Sequence, residues 1–122
     1  MRKITKEMVE AFYSFKPKSK SNTQVRVIRG KAIMYLFDNK IADLYKSSKG
    51  DILTIYDSGW YTVTTADRIN GLLRVGELDY YQYQKNWEWF WGNWKDKEWK
   101  LPFKTMSFNL TTKRIVPRYH PT

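Results

Sequence analysis

The sequence predicts a single small α+β domain, and three observations carry that prediction. Two segments repeat apolar residues at helical spacing, while the stretches between and after them alternate with period two and are divided by short clusters of turn-forming residues. The chain has 122 residues, enough for one modest hydrophobic core, whereas two cores would each be marginal.

The first helix is expected over residues 5–14, where Met8, Val9, Ala11 and Phe12 recur on one side and Lys6, Glu7 and Glu10 on the other. Thr5 is the expected N-cap, and Ile4 and Val9 have the spacing of a hydrophobic staple. Residues 16–22 mix Pro17 with lysines and serines and read as an exposed connection within reach of a phosphate. From Thr23 the period becomes two. A first strand carrying Val25 and Val27 ends in a turn at Arg29, Gly30 and Lys31. A second strand over 32–37 is apolar on both faces, as a central strand is. Turn residues at 38–40 and 47–51 separate a third strand, 41–46, from a fourth through Ile52, Thr54 and Tyr56. Connections this short suit an antiparallel meander, because parallel strands need longer crossovers.

A second helix is expected over 66–73, capped by Thr64 or Thr65, with Asp67 in its first turn near unpaired backbone donors. Gly71 marks either its end or a close approach of another backbone. Five of the six tryptophans then fall between Trp87 and Trp99. Trp87, Trp89 and Trp91 alternate with Glu88 and Phe90, so a strand would place the indoles on one face, with a turn at Gly92 and Asn93 or at Lys95 and Asp96 and a return strand over 97–100. A weaker hairpin is expected around Thr111 and Thr112. The domain is accordingly drawn as residues 1–103, with 104–122 a basic C-terminal extension packed on it or partly loose.

Composition narrows the function. A chain 42% hydrophobic and 17% aromatic is too apolar to remain disordered. No apolar run approaches the roughly 20 residues of a spanning helix, and the amphipathic N-terminal segment is unlike a signal peptide, so no membrane association is expected. The absence of cysteine excludes a disulfide framework and a thiolate metal site, and fits a reducing compartment. His120 is the only histidine, no phosphate-cradling glycine loop is present, and the carboxylates are scattered, so neither catalysis nor a metal or cofactor is expected.

The net charge of +10 is unevenly spread: residues 1–31 carry +7, residues 104–122 carry +4 and the middle carries −1. Segregated charge builds a potential that attracts nucleic acid or an acidic protein face, although charged ends can also simply be solvated. The candidate phosphate contacts are Lys16, Lys18, Lys20, Arg26, Arg29, Lys31, Arg114 and Arg118. Six or more acting together would make affinity fall about 10³-fold between 50 and 200 mM salt. The tryptophan cluster has two readings. Interleaved with lysines it has the chemistry of a base-stacking surface, and in a chain short of leucine and valine its rings also suit the core. Trp91 and Trp94, beside the expected turn, are the rings placed to project as partner anchors, together with Tyr61 and Arg68.

The segment GWYTVTTADRINGL resembles the pattern G-W-x-[ST]-x-T-T-x-x-R-[LI]-N-[GA]-L of a family of small, largely uncharacterised proteins encoded by tailed bacteriophages. The matching residues are Gly59, Trp60, Thr64, Thr65, Arg68, Ile69, Asn70 and Leu72, with Asn22 and Thr23 upstream, and the resemblance spans about residues 3–100. It implies a phage accessory protein made in the cytoplasm of an infected bacterium and transfers no activity. Charge and resemblance together give three expectations: a nucleic-acid binder (DNA or RNA), an anti-defence or host-takeover inhibitor (anti-CRISPR-like) docking on a bacterial nucleic-acid-handling protein, or a virion or assembly component.

Overall fold

The α+β expectation holds. A computed structural model describes residues 1–57, 62–93, 98–100 and 105–116, the backbone alone for 98–100. Helix α1 (Lys3–Tyr13) leads into strands β1 (Lys18–Lys20), β2 (Thr23–Ile28), β3 (Lys31–Leu36), β4 (Asn39–Tyr45) and β5 (Ile52–Ile55). Helix α2 (Val63–Val75) follows, then β6 (Tyr80–Lys85), β7 (Glu88–Asn93), β8 (Glu98–Lys100), β9 (Met106–Asn109) and β10 (Ile115–Val116). Two antiparallel sheets result, one ordered β1-β2-β3-β4-β5-β9-β10 and one ordered β6-β7-β8.

Tight turns set the register. Arg29 and Gly30 have φ of 51° and 78°, Phe37 and Asp38 have 48° and 64°, and Asn86 and Trp87 have 52° and 65°. Two consecutive residues with positive φ give the two-residue turn whose twist matches a hairpin. The third pair joins β6 to β7, a hairpin the sequence reading did not include; the expected hairpin of β7 with a return strand is present, β7 pairing antiparallel with β8, although Gly92 and Asn93 lie inside β7 rather than in its turn. Residues 95 and 96 lie outside the described residues.

Three local expectations are corrected. Thr5 does not cap α1, whose N-cap is Arg2 without a side-chain hydrogen bond; Thr5 is buried against α2. Thr62, rather than Thr64 or Thr65, caps α2 by accepting from the Thr65 N–H at 3.1 Å. That earlier start leaves Asp67 beyond the first turn, where it meets Arg68 and Thr5. The lysines at 18–20 form an edge strand on β2 rather than a loop, and Glu7 of α1 holds them, with Lys20 Nζ at 2.6 Å and Lys18 Nζ at 3.8 Å. The hydrogen bond from Lys20, then its charge and those of Lys18 and Lys3, keep the Glu7 carboxyl below the usual 4.5 against the opposing pull of desolvation.

Both helices lie on one face of the large sheet. Met8, Val9 and Phe12 of α1 and Ile69, Leu72 and Leu73 of α2 meet Val25, Met34, Leu44, Leu53 and Phe108 in one core cluster. The small sheet joins the same core through Trp91, whose ring lies 6.3 Å from Phe108 and 6.2 Å from Tyr80. Tyr80 of β6 also meets Phe108, at 5.0 Å, and the side-chain amide of Asn70 pairs with the backbone of Gln82 as a neighbouring strand would, at 2.9 and 2.7 Å. Strand β9, from the segment expected as an extension, lies between β5 and β10 in the large sheet and pairs along all of β5. Leaving the edge of β5 unpaired would expose a row of backbone donors and acceptors.

Gly71 sits inside α2, and a Cβ placed there would come 2.5 Å from Thr5 Cγ2 and 3.3 Å from Val9 Cγ2. The close approach anticipated from the sequence is therefore the packing of α1 on α2. The Thr5 methyl cannot turn away, because its hydroxyl bonds both Asp67 and Arg68. Gly71→Ala is expected to lower stability by about 1–3 kcal/mol through overpacking, although alanine is the better helix former by about 1 kcal/mol. Urea unfolding measures the difference, and a more stable variant would contradict this packing.

Candidate functional site

Strand alternation sends one set of side chains to the face of the large sheet away from the helices. Gln24, Arg26 and Ile28 of β2 lie opposite Tyr35, Ile33 and Lys31 of β3, and Ile33 and Lys31 lie opposite Asp43 and Tyr45 of β4. The register shifts between Met34 and Tyr35, so β4 holds one extra residue, Ile41, and Lys40 rather than Ile41 stands across from Tyr35. Tyr56 follows β5 on the same face, its N–H bonded to the Ile41 carbonyl at 3.0 Å.

Each cation on this face stands over a tyrosine ring. The Arg26 guanidinium is 4.9 Å from the centre of Tyr35, Lys31 Nζ is 5.9 Å from Tyr45 and Lys40 Nζ is 4.2 Å from Tyr56. Gln24 Oε1 also accepts from Arg26 at 2.8 and 3.2 Å. Asp43, 1% exposed, holds the third pair in place: it accepts from the Tyr56 hydroxyl at 2.5 Å and lies 3.1 Å from Lys40 Nζ. Burial, then the hydrogen bond to Asp43 and its charge, push the Tyr56 pKa well up, so the phenol remains a donor across the physiological range. The other Asp43 oxygen, Oδ1, is buried without a hydrogen bond. Thr54 and Ser107 continue the row with hydroxyls 2.9 Å apart.

Of the candidates named from the sequence, the structure brings Arg26 and Lys31 together on this face, with Arg29 exposed at the turn between their strands. Lys16 is exposed in the connection after α1, and Lys18 and Lys20 point to the helix side of the sheet, toward Glu7. Arg114 is exposed in the β9–β10 connection, at the opposite edge of the strand order from β1. The two basic ends therefore occupy different edges. Arg118 lies outside the described residues.

The partner-anchor assignment is corrected at two residues. Trp91 is 0% exposed, because alternation from the Asn86–Trp87 tip turns it toward the core. Arg68 is 1% exposed and joins α1, α2 and β2. Its Nε donates to Thr23 Oγ1 at 3.0 Å, Nη1 to Thr5 Oγ1 at 2.6 Å and to Asp67 at 3.2 Å, and Nη2 to Asn22 Oδ1 at 3.4 Å. Each threonine passes the bond on, Thr5 to Asp67 and Thr23 to Asn22. Burial lowers the Arg68 pKa and Asp67 opposes that shift. Tyr61 and Trp94 lie outside the described residues. Among the described residues the indole that projects is Trp87, 90% exposed at the β6–β7 tip.

Reading the sequence for charge alone missed Tyr35, Tyr45, Tyr56 and Lys40. The shared parity of Lys31, Ile33 and Tyr35 was available to find the first. Among the described residues no group of three or more His, Cys, Asp or Glu side chains could hold a metal ion, and no helix is long and apolar enough to cross a membrane. A cleft of about 610 Å³ between the end of α2 and β6 is lined by Arg74, Glu77 and Asp79 among others, and this mixed charge does not extend the basic face.

The family model described as Kyanoviridae Gp96 protein matches residues 1–113. That match reaches past the Trp-rich hairpin through β9, further than the resemblance read from the sequence. No curated protein and no solved structure matches the chain.

Proposed function

Because the chain belongs to the Kyanoviridae Gp96 protein family, a family of phage proteins, we propose that it is a non-catalytic accessory protein that binds nucleic acid in the infected bacterial cell, using the tyrosine-backed cations of β2–β4. The observation that carries this reading is the pairing of Arg26, Lys31 and Lys40 with Tyr35, Tyr45 and Tyr56 on the helix-free face. A cation held over an exposed ring gives up about 0.5–1 kcal/mol on leaving it, which contact with a phosphate and release of its counterions can offset. The net charge of +10 favours the encounter.

Asp43 holds Lys40, so with Arg29 added this face presents three cations without a carboxylate partner among the described residues, Arg26, Arg29 and Lys31, fewer than the charge count alone suggested. Affinity for a single strand is then expected to fall about 20-fold between 50 and 200 mM salt. Fluorescence anisotropy of a labelled oligonucleotide across a salt series measures it, and binding that ignores salt would overturn the reading. Replacing Arg26, Arg29 and Lys31 together with alanine should abolish the salt-sensitive part. Replacing Lys18 and Lys20 should leave most of it, since Glu7 already holds them.

A second reading, docking on a bacterial protein, has one specific observation in its favour. Trp87 is 90% exposed at positive φ, a conformation costly for a bulky residue. Pull-down from bacterial lysate with and without nuclease separates the two readings: a defined protein retained after nuclease, and lost with Trp87→Ala, supports docking.

A further inference from the structure

Resting on the nucleic-acid reading above, we infer that the occupant of this face is a single strand whose bases stack on Tyr35 and Tyr56, with Arg26 taking a phosphate and Lys40, held by Asp43, bracing the Tyr56 ring. Phosphate contacts with a duplex require cations but no rings, because paired bases offer their faces only to one another. This sheet instead sets a half-buried ring beside each of the strand-borne cations Arg26, Lys31 and Lys40.

The register gives the spacing. Tyr35 on β3, Lys40 on β4 and Tyr56 beyond β5 lie at one level across three adjacent strands, as the pairing of Tyr35 with Lys40 and the Tyr56–Ile41 hydrogen bond show. Adjacent strands are about 4.8 Å apart, so the backbones that carry the two rings stand roughly 10 Å apart, and Lys40, rooted between them, carries its ammonium to the Tyr56 side. That is room for two separated bases and the backbone between them. The extra residue in β4 produces this alignment, since a regular strand would place Ile41 at the middle position. Asp43 is the positioning residue: bonded to the Tyr56 hydroxyl and to Lys40 from beneath, it fixes the ring before any ligand arrives. Such preorganisation reduces the ordering that binding would otherwise require. Arg26 stands over the Tyr35 ring and is exposed, so an arriving base can displace its guanidinium toward the strand's own phosphates.

The test compares an oligo-dT strand of about 20 nucleotides with a duplex of the same length by anisotropy on the full chain, at one salt concentration. The strand is expected to bind at least tenfold more tightly. Tyr35→Ala should weaken strand binding about fivefold or more, the loss expected for one stacked base, while Tyr35→Phe keeps the ring and the affinity. Photocrosslinking of a strand carrying 5-iododeoxyuridine, mapped by mass spectrometry on the unaltered protein, should label Tyr35 or Tyr56 and does not depend on any variant folding. Equal affinity for strand and duplex, with Tyr35→Ala indifferent and no crosslink to either ring, would overturn the stacking inference and leave nucleic-acid binding standing. No binding to either probe would overturn both.

Discussion

Arg68→Met is expected to destabilise the protein by about 3–5 kcal/mol, enough to remove much of the stability of an ordinary domain. Methionine fills a similar volume, so the loss is not a cavity. Without the guanidinium, Thr5, Thr23, Asp67 and Asn22 lose the donor that all four share. Asp67 keeps its bond from Thr5 but loses the only ion pair the described residues give it. Buried acceptors without a donor cost about 1–3 kcal/mol each, more when charged. Lysine at this position retains a charge but cannot reach three elements from one planar fork, so Arg68→Lys should recover only part of the loss. Guanidinium unfolding provides the measurement. A change under about 1 kcal/mol would show that water replaces the guanidinium and that the side chain is free for another use.

Trp91→Ala should cost a similar amount, about 3–5 kcal/mol, and lower the midpoint of thermal unfolding by about 10–20 °C. Among the described residues Trp91 heads the fully buried side chains by size, and it carries the contact of β7 with Phe108 of the large sheet. Its removal leaves a hole at the seam between the sheets, where two separately paired layers cannot easily collapse to fill it. Trp87→Ala is the matched control: the same residue type, four positions away on the same hairpin and 90% exposed, should change stability by no more than about 0.5 kcal/mol. A Trp91→Ala protein that melts normally would restore the earlier picture of Trp91 as an outward anchor.

The contrast between these two tryptophans shows where legibility ended. Period-two alternation correctly put Trp89 and Trp91 on one face, but which face met the core depended on the turn position. Asn86 and Trp87 hold a conformation that favours asparagine and glycine, and a tryptophan in the second place hides the signal. The sequence offered Gly92 and Asn93 as the more familiar turn pair. Arg68 misled for a related reason. An arginine in a helix with polar neighbours reads as solvent-facing, and its acceptors Thr5, Asn22 and Thr23 lie more than 40 positions away in the chain.

The helical and alternating periods, the cysteine-free composition and the crowding of charge at the two ends follow from the sequence alone, because each depends only on neighbours within a few residues. From these come two helices, a meander, an aromatic hairpin and a basic protein. The tertiary structure decided the rest. It drew β9 beside β5, buried Arg68 and Trp91, turned Lys18 and Lys20 toward Glu7 and lined up Tyr35, Lys40 and Tyr56 across three strands. Those outcomes depend on pairing between distant segments and on one extra residue in β4, and a single shift of register would have sent every side chain on that face to the other.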